Sequence, residues 1–281
     1  MSSLRGTVAS VSCHDVYSFT KPVRDQIVLV AGIGVEGDVH AGVNVRHRHR
    51  VKVDPTQPNL RQVHLIQQEL FAEVGEKGYT VEPGNLGENV TTSGIDLLGL
   101  PLGTILRFGP PREGSAPGGG GGSGPGGGGG SGPADGGGSG PADGGGSGPA
   151  DGGGSGPADG GGGLAALAGV LEAAAGARLD GPTAVAAEGV AAAAARSDAA
   201  ALAGGEDPRA AVIVAGLRNP CQQINGFRQG LLKEVIGRDG EGNVVRKGGV
   251  MAVVLRGGPI RPGDEIGVEL PPVPFTSLDL V

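Results

Sequence analysis

From Gly118 to Gly163 the chain contains only Gly, Ser, Pro, Ala and Asp, and the octad Gly-Gly-Gly-Ser-Gly-Pro-Ala-Asp runs four times in register from Gly128 to Asp159. A repeat without large apolar side chains has nothing to bury when its units stack, so a solenoid is excluded and the stretch reads as a flexible linker. The following residues, 164–205, are Ala-rich, with Leu164, Leu167, Leu171 and Ala174 on one face of a helix that would be only partly formed in isolation. Residues 110–209 are therefore predicted to be a single low-complexity insertion, largely disordered. The folding core is left to residues 1–109 and 210–281. Such an interruption is tolerable, because each doubling of a flexible loop costs only about 0.6 kcal/mol in closure entropy. With 60 glycines and 2% aromatic residues in 281, much of the chain has little to contribute to a core.

Charge follows the same division. The insertion holds eleven acidic and four basic residues, which accounts for the whole formal net charge of −7, and the remainder is balanced. A neutral core gives no electrostatic basis for nucleic-acid binding. Two cysteines, Cys13 and Cys221, cannot build a disulfide framework. No signal peptide and no apolar run long enough to span a bilayer is visible, so a cytoplasmic protein without membrane partners is expected.

The flanks read as short strands with Gly/Pro turns. Leu4–Cys13, Gln26–Val35, Thr104–Phe108, Ala211–Leu217, Val250–Leu255 and Glu265–Leu270 are apolar or alternating runs, and the third and fourth of these would be hairpin neighbours but for the insertion. Two helices are predicted. One runs from an Asn59 cap through Leu60, Val63, Ile66, Leu70, Phe71 and Val74 to Gly75. The other covers Gln222–Ile236, with Ile224, Phe227, Leu231 and Val235 on one face. Many short strands and two helices argue for a mostly-β barrel.

Chemistry concentrates at Ala215-Gly216-Leu217-Arg218-Asn219-Pro220-Cys221, where a strand delivers a cysteine and an arginine to a helix start. A helix N-terminus and nearby guanidinium groups, Arg218 and Arg228, favour the thiolate, the form that binds metals or attacks electrophiles; a small buried hydrophobe is the competing reading. Cys13, within a strand, reads as core. Arg46, Arg48 and Arg61, with His47, His49, Lys52 and His64, form the one locally basic region. It suits an anion such as phosphate or a solvated loop, while His47 and His49 lack further ligands for a familiar metal spacing. Gly34–Gly42 carries Asp38 and His40 in a glycine-punctuated loop, and Gly84 and Gly87 would let backbone approach a ligand.

Five segments in order resemble the MOSC domain, named for the C-terminal domain of molybdenum cofactor sulfurase. They are Gly-Val-Glu-Gly-Asp-Val-His-Ala-Gly (34–42), Leu-Arg-Gln-Val-His-Leu-Ile (60–66), Pro-Gly-Asn-Leu-Gly-Glu-Asn-Val-Thr-Thr-Ser-Gly (83–94), Gly-Leu-Arg-Asn-Pro-Cys (216–221) and Arg-Pro-Gly-Asp-Glu-Ile (261–266). The resemblance implies a MOSC-type β-barrel with a few helices, which binds molybdenum held by molybdopterin or handles sulfur for that cofactor. It makes Cys221 the molybdenum ligand and catalytic residue. Arg218 and Asn219 match the approach to that cysteine, and Glu88, Asn89 and Thr91 match the strand motif. Arg46, Arg48 and Arg61 are assigned to the pterin phosphate on charge alone. The implied activity is a small molybdenum oxidoreductase acting on N-hydroxylated compounds, with electrons from a separate protein. The alternatives are a sulfur carrier or transferase using a Cys221 persulfide from a sulfur donor, and a ligand-binding domain without chemistry. Pyridoxal phosphate enters by family association alone, since none of the five lysines lies in a Schiff-base motif.

Overall fold

A computed structural model describes residues 5–110 and 162–281. In chain order its elements are β1 (Arg5–Ser12), β2 (Val23–Arg24), β3 (Ile27–Val30), β4 (Gly34–Val35), α1 (Arg48–Val53), β5 (Val63–Gln67), α2 (Glu69–Gly75), β6 (Val90–Ser93), β7 (Ile105–Phe108), α3 (Ala168–Gly176), α4 (Gly181–Gly204), β8 (Ala211–Leu217), α5 (Gln223–Phe227), α6 (Leu231–Val235), β9 (Ile236–Arg238), β10 (Val244–Arg246), β11 (Val250–Arg256), β12 (Gly258–Ile260) and β13 (Glu265–Glu269). The octads lie outside the described residues.

Seven strands close a mixed barrel in the order β13-β7-β8-β11-β5-β6-β1, with β1 pairing back to β13 and β2 extending β1. Only the β5–β6 pair is parallel among these. Closure leaves the barrel strands without bare edges. The expected hairpin partners do meet, with Ile105 opposite Ile213.

Both faces of the central strands are apolar, and the period of two divides them cleanly. Val212 and Val214 of β8 and Val250, Ala252 and Val254 of β11 fill the barrel with Val8, Leu65 and Leu106. Ala211, Ile213 and Ala215, with Met251, Val253 and Leu255, point outward into a second cluster completed by α3 and α4. A third cluster joins α2, α5 and α6 through Leu70, Val74, Ile224, Leu231 and Val235.

Here the structure departs from the sequence reading. The described part of the predicted insertion, from residue 162 onward, is helical and packed. Leu167, Val170, Val190, Ala193 and Ala194 are fully buried against the barrel. The 24-residue α4 is capped by Asp180, whose side chain accepts from the Thr183 N–H at 2.8 Å, with proline in the first turn. Its alanine and glycine face lets it lie very close to the turn that leads into β7: a Cβ on Gly189 would sit 2.6 Å from Leu102. The folded core is thus larger than residues 1–109 and 210–281.

Both predicted helices also change. The apolar residues at 60–75 divide between β5 and α2, because β5 lies between β11 and β6, buried on both faces, and shows no alternation. The stretch 222–236 breaks into α5 and α6 at Gly230, whose φ of 88° is left-handed.

Candidate functional site

At one end of the barrel a cavity of about 680 Å³ opens between the ends of β5, β8 and β11 and the segments carrying Phe19, His40, α1 and Cys221. Lys21, Arg46, Arg50, Arg61 and Arg218 line it, and Asp180, at the start of α4, is the one acidic lining residue among the described residues. The cavity is therefore strongly basic in a chain that is acidic as a whole.

Arg218 is the residue that gives the cavity its chemistry. It follows β8 directly, and its N–H donates to the Gly249 carbonyl at 3.0 Å, which turns its side chain inward. The residue is 8% exposed, yet Nη1 has no hydrogen-bond partner among the described residues. Burial lowers its pKa, against the pull of Cys221 and Glu88. Arg61 stands nearby, donating through Nη1 to the Val281 carbonyl oxygen. Burial first, then repulsion from Arg50 and Arg218, pushes Arg61 down to about 9. Two buried guanidinium groups that repel one another, neither in an ion pair among the described residues, make a site suited to an anion.

Cys221 sits at the rim, half-buried, with Sγ 3.4 Å from Gln223 Oε1 and its carbonyl accepting from the Ile224 N–H at 3.0 Å. The helix that follows is only five residues long and begins two residues later, so a macrodipole has little to offer the sulfur. Arg228 does not help either, being exposed with its guanidinium 4.9 Å above the Phe227 ring. The positive charge around Cys221 comes instead from Arg61 and Arg218.

Asp38 organises the floor. Its carboxylate is buried, with Oδ2 accepting from Lys21 Nζ at 2.6 Å and Asn89 Nδ2 at 2.9 Å, and Oδ1 accepting from the His40 N–H at 3.0 Å. His40 Nδ1 lies 3.2 Å from the same Oδ1. Burial opposes the charge, but the His40 and Lys21 bonds hold Asp38 well below the usual carboxylate range. His64 is enclosed with Nε2–H donating to the Gly248 carbonyl at 2.7 Å, and burial, helped by Arg218, keeps the ring well below its usual range.

Of the residues singled out from the sequence, Arg46, Arg61, Asn89, Arg218, Asn219 and Cys221 all line this one cavity. Glu88 and Thr91 do not. Glu88 is fully buried and accepts from the Gly84 and Leu86 N–H groups and from the Thr91 hydroxyl at 2.6, 3.1 and 3.1 Å, which locks the turn before β6. The Arg48 and His49 side chains lie outside the described residues. Gly84 and Gly87, both with positive φ, admit the chain's own backbone: Cβ atoms there would strike the carbonyl oxygens of Lys21 and Phe19 at 2.1 and 2.6 Å. Arg50, within the basic run 46–52, also lines the cavity, whereas Lys21, Asp180 and Met251 were not singled out as site residues and reach it through tertiary packing. Among the described residues, no group of three His, Cys, Asp or Glu side chains is placed to hold a metal ion.

No family model matches the sequence, and no curated protein matches it. Among solved structures the chain is similar to the YuaD protein from Bacillus subtilis, at 16% identity and a TM-score of 0.51, over 95% of this chain and 97% of that one. The chain has a YuaD-like fold. YiiM from Geobacillus stearothermophilus is a weaker likeness, at 13% identity and a TM-score of 0.45, over 97% of this chain and 79% of that one. The likeness to YuaD concerns the fold, and agrees with the MOSC-like barrel that the sequence motifs implied.

Proposed function

We propose that this protein is a MOSC-domain protein whose basic cavity binds molybdopterin-held molybdenum, and that it works as a small oxidoreductase on N-hydroxylated compounds with electrons from a separate donor. The observation that carries the reading is the buried Nη1 of Arg218, without a hydrogen-bond partner among the described residues, three residues from Cys221 and beside Arg61. Guanidinium forks match a phosphate's oxygens, and a thiolate is a soft ligand suited to a soft, redox-active metal. The volume also fits, since cofactor sites span roughly 300–1,000 Å³. Arg61 and Arg218 would hold the phosphate and Cys221 the metal. The cofactor, when bound, supplies oxygen-atom transfer coupled to two-electron redox chemistry.

Pyridoxal phosphate fits this cavity poorly. Lys21, the one lysine lining it among the described residues, is buried and committed to Asp38 at 2.6 Å, which leaves that amine unsuited to a Schiff base.

The chain produced in a host that makes molybdopterin and purified without oxygen should hold about one molybdenum and one pterin, at the stoichiometry expected of a single cavity. Cys221→Ser should lose the metal, because the hydroxyl is close in size but is no soft ligand. Cys13→Ser should keep it, since that thiol lies against the Glu36 carbonyl and away from the cavity lining. Unchanged molybdenum in Cys221→Ser removes the cysteine as ligand. The half-buried position of Sγ, with one long hydrogen bond, also suits persulfide transfer. Cyanide-labile sulfur on Cys221 in a metal-free chain would shift the assignment to a sulfur carrier.

A further inference from the structure

We infer that His40 is the proton-exchanging group of the cavity, fixed by Asp38 so that Nε2 takes a proton from solvent and gives it to the bound molecule. The inference deepens the reductase reading and rests on it for the identity of the reaction.

The argument begins with Asp38. Its two oxygens receive Lys21 Nζ, Asn89 Nδ2 and the His40 main-chain N–H, all donors, and the carboxylate is enclosed. An ionised carboxylate only accepts, so the remaining contact, His40 Nδ1 at 3.2 Å, must be an N–H donating to it. The tautomer follows: in the neutral ring Nδ1 carries the hydrogen and Nε2 carries the lone pair. The ring is 28% exposed along the cavity wall, and Nε2 has no hydrogen bond among the described residues. Tyr17 packs edge-on at 5.8 Å and His47 stacks at 6.4 Å, so the ring cannot swing freely away. Asn59 pins the backbone beneath it, donating to the His40 carbonyl at 2.9 Å.

His64, the other deeply placed imidazole, is unsuited to the task, because it is sealed against Gly248 and its burial disfavours the charged ring. The charged and titratable groups around His40 are Asp38 and Lys21 behind it, His47 and Tyr17 against its faces, Arg46 on the same wall, and Cys13 beyond Asp38. Lys21 is consumed by Asp38, which leaves the outward edge of the His40 imidazole as the group free to exchange a proton with a bound molecule.

Reduction of an N-hydroxylated amine breaks the N–O bond, takes two electrons from the partner donor and two protons, and yields the amine and water. His40 Nε2–H delivers one proton to the departing oxygen and is reprotonated from solvent, which also supplies the second proton.

Two measurements test this. The first needs no cofactor. In the ¹⁵N-labelled chain, long-range ¹H–¹⁵N correlations should show neutral His40 as the Nδ1–H tautomer, and added inorganic phosphate should raise its titration midpoint. A neutral Nε2–H tautomer, or a midpoint indifferent to phosphate, overturns the proposal whatever the protein's reaction. The second uses the molybdenum-loaded chain with a hydroxylamine substrate and a reduced viologen as donor. His40→Asn retains an amide N–H for Asp38 but has nothing at the Nε2 position, whereas His40→Gln lacks that match. Both should keep molybdenum and pterin while turnover falls about 10²–10⁴-fold, the usual contribution of general acid–base catalysis, and the ionisation limb of the pH profile should vanish. If His40→Asn turns over at the wild-type rate, the residue merely satisfies Asp38 and the proposal fails. Wild-type chain inert toward hydroxylamines would instead remove the reductase reading, with the tautomer and phosphate experiment still deciding the role of His40.

Discussion

Leu167→Ala separates a packed helical hairpin from an appended coil. Leu167 is fully buried at the start of α3, within the cluster formed by Leu60, Ile105, Val190 and Ile213. Cutting such a side chain back to Cβ removes its transfer energy and leaves a cavity, for a loss of about 2–5 kcal/mol. At about 2–4 °C per kcal/mol for a domain of this size, a mid-range loss of about 3 kcal/mol corresponds to about 6–12 °C in Tm. The control is Leu202→Ala, near the end of α4 at 91% exposure, which should stay within about 0.5 kcal/mol of wild type. Thermal unfolding followed by circular dichroism, with urea midpoints as a check, reads both. A Leu167→Ala chain melting within about 2 °C of wild type would mean that α3 contributes nothing to the core, and the argument from its burial would be wrong.

Gly189→Ala should destabilise by about 1–3 kcal/mol, although alanine in an exposed helix gains up to about 1 kcal/mol over glycine, because the new methyl meets Leu102 at 2.6 Å. Urea unfolding gives the sign directly, and a stabilised variant would show that α4 rides further from Leu102 than described. Asp38 predicts a pH dependence. Its folded pKa lies below the ordinary carboxylate value, so its stabilisation is full above that value and is lost as pH falls through the folded one. Urea midpoints between about pH 2 and pH 6 should therefore fall less steeply in the Lys21→Met/Asp38→Asn pair than in wild type, and equal slopes would refute the assignment.

Legibility in the sequence followed the kind of burial each segment meets. β8 was readable because seven apolar residues rich in Val and Ile end at a polar turn, and Arg218 and Cys221 were readable because they continue that strand. β5 was not. Its side chains are enclosed by strands and helices together, and the spacing of Val63, Ile66 and Leu70 mimics a helix when its second half belongs to α2. The α3–α4 pair was hidden by its own composition. Ala186, Ala187, Ala193 and Ala194 are buried, but alanine looks alike on either face of a helix, and it is the buried Val190, with Gly189 close against Leu102, that marks the inward side. In the cavity, Asp38 and His40 were visible as a loop with an acid and an imidazole. Their joint meaning depended on Lys21 and Asn89, 17 and 51 residues from Asp38 in sequence.

The order of strands around the barrel also bears on how the chain is made. Followed from β13 to β7, to β8 and β11, on through β5, β6 and β1 and back to β13, the wall passes four times between strands that precede the octads and strands that follow them. Residues 5–110 by themselves would hold β5, β6 and β1 side by side with β7 unattached, and residues 162–281 would hold β8 and β11 with β13 apart. During synthesis the emerging first part would display open strand edges, the kind of surface that associates with other chains unless shielded. Closure must wait until Glu265–Glu269 has left the ribosome, since that strand joins β7 to β1 and completes the ring.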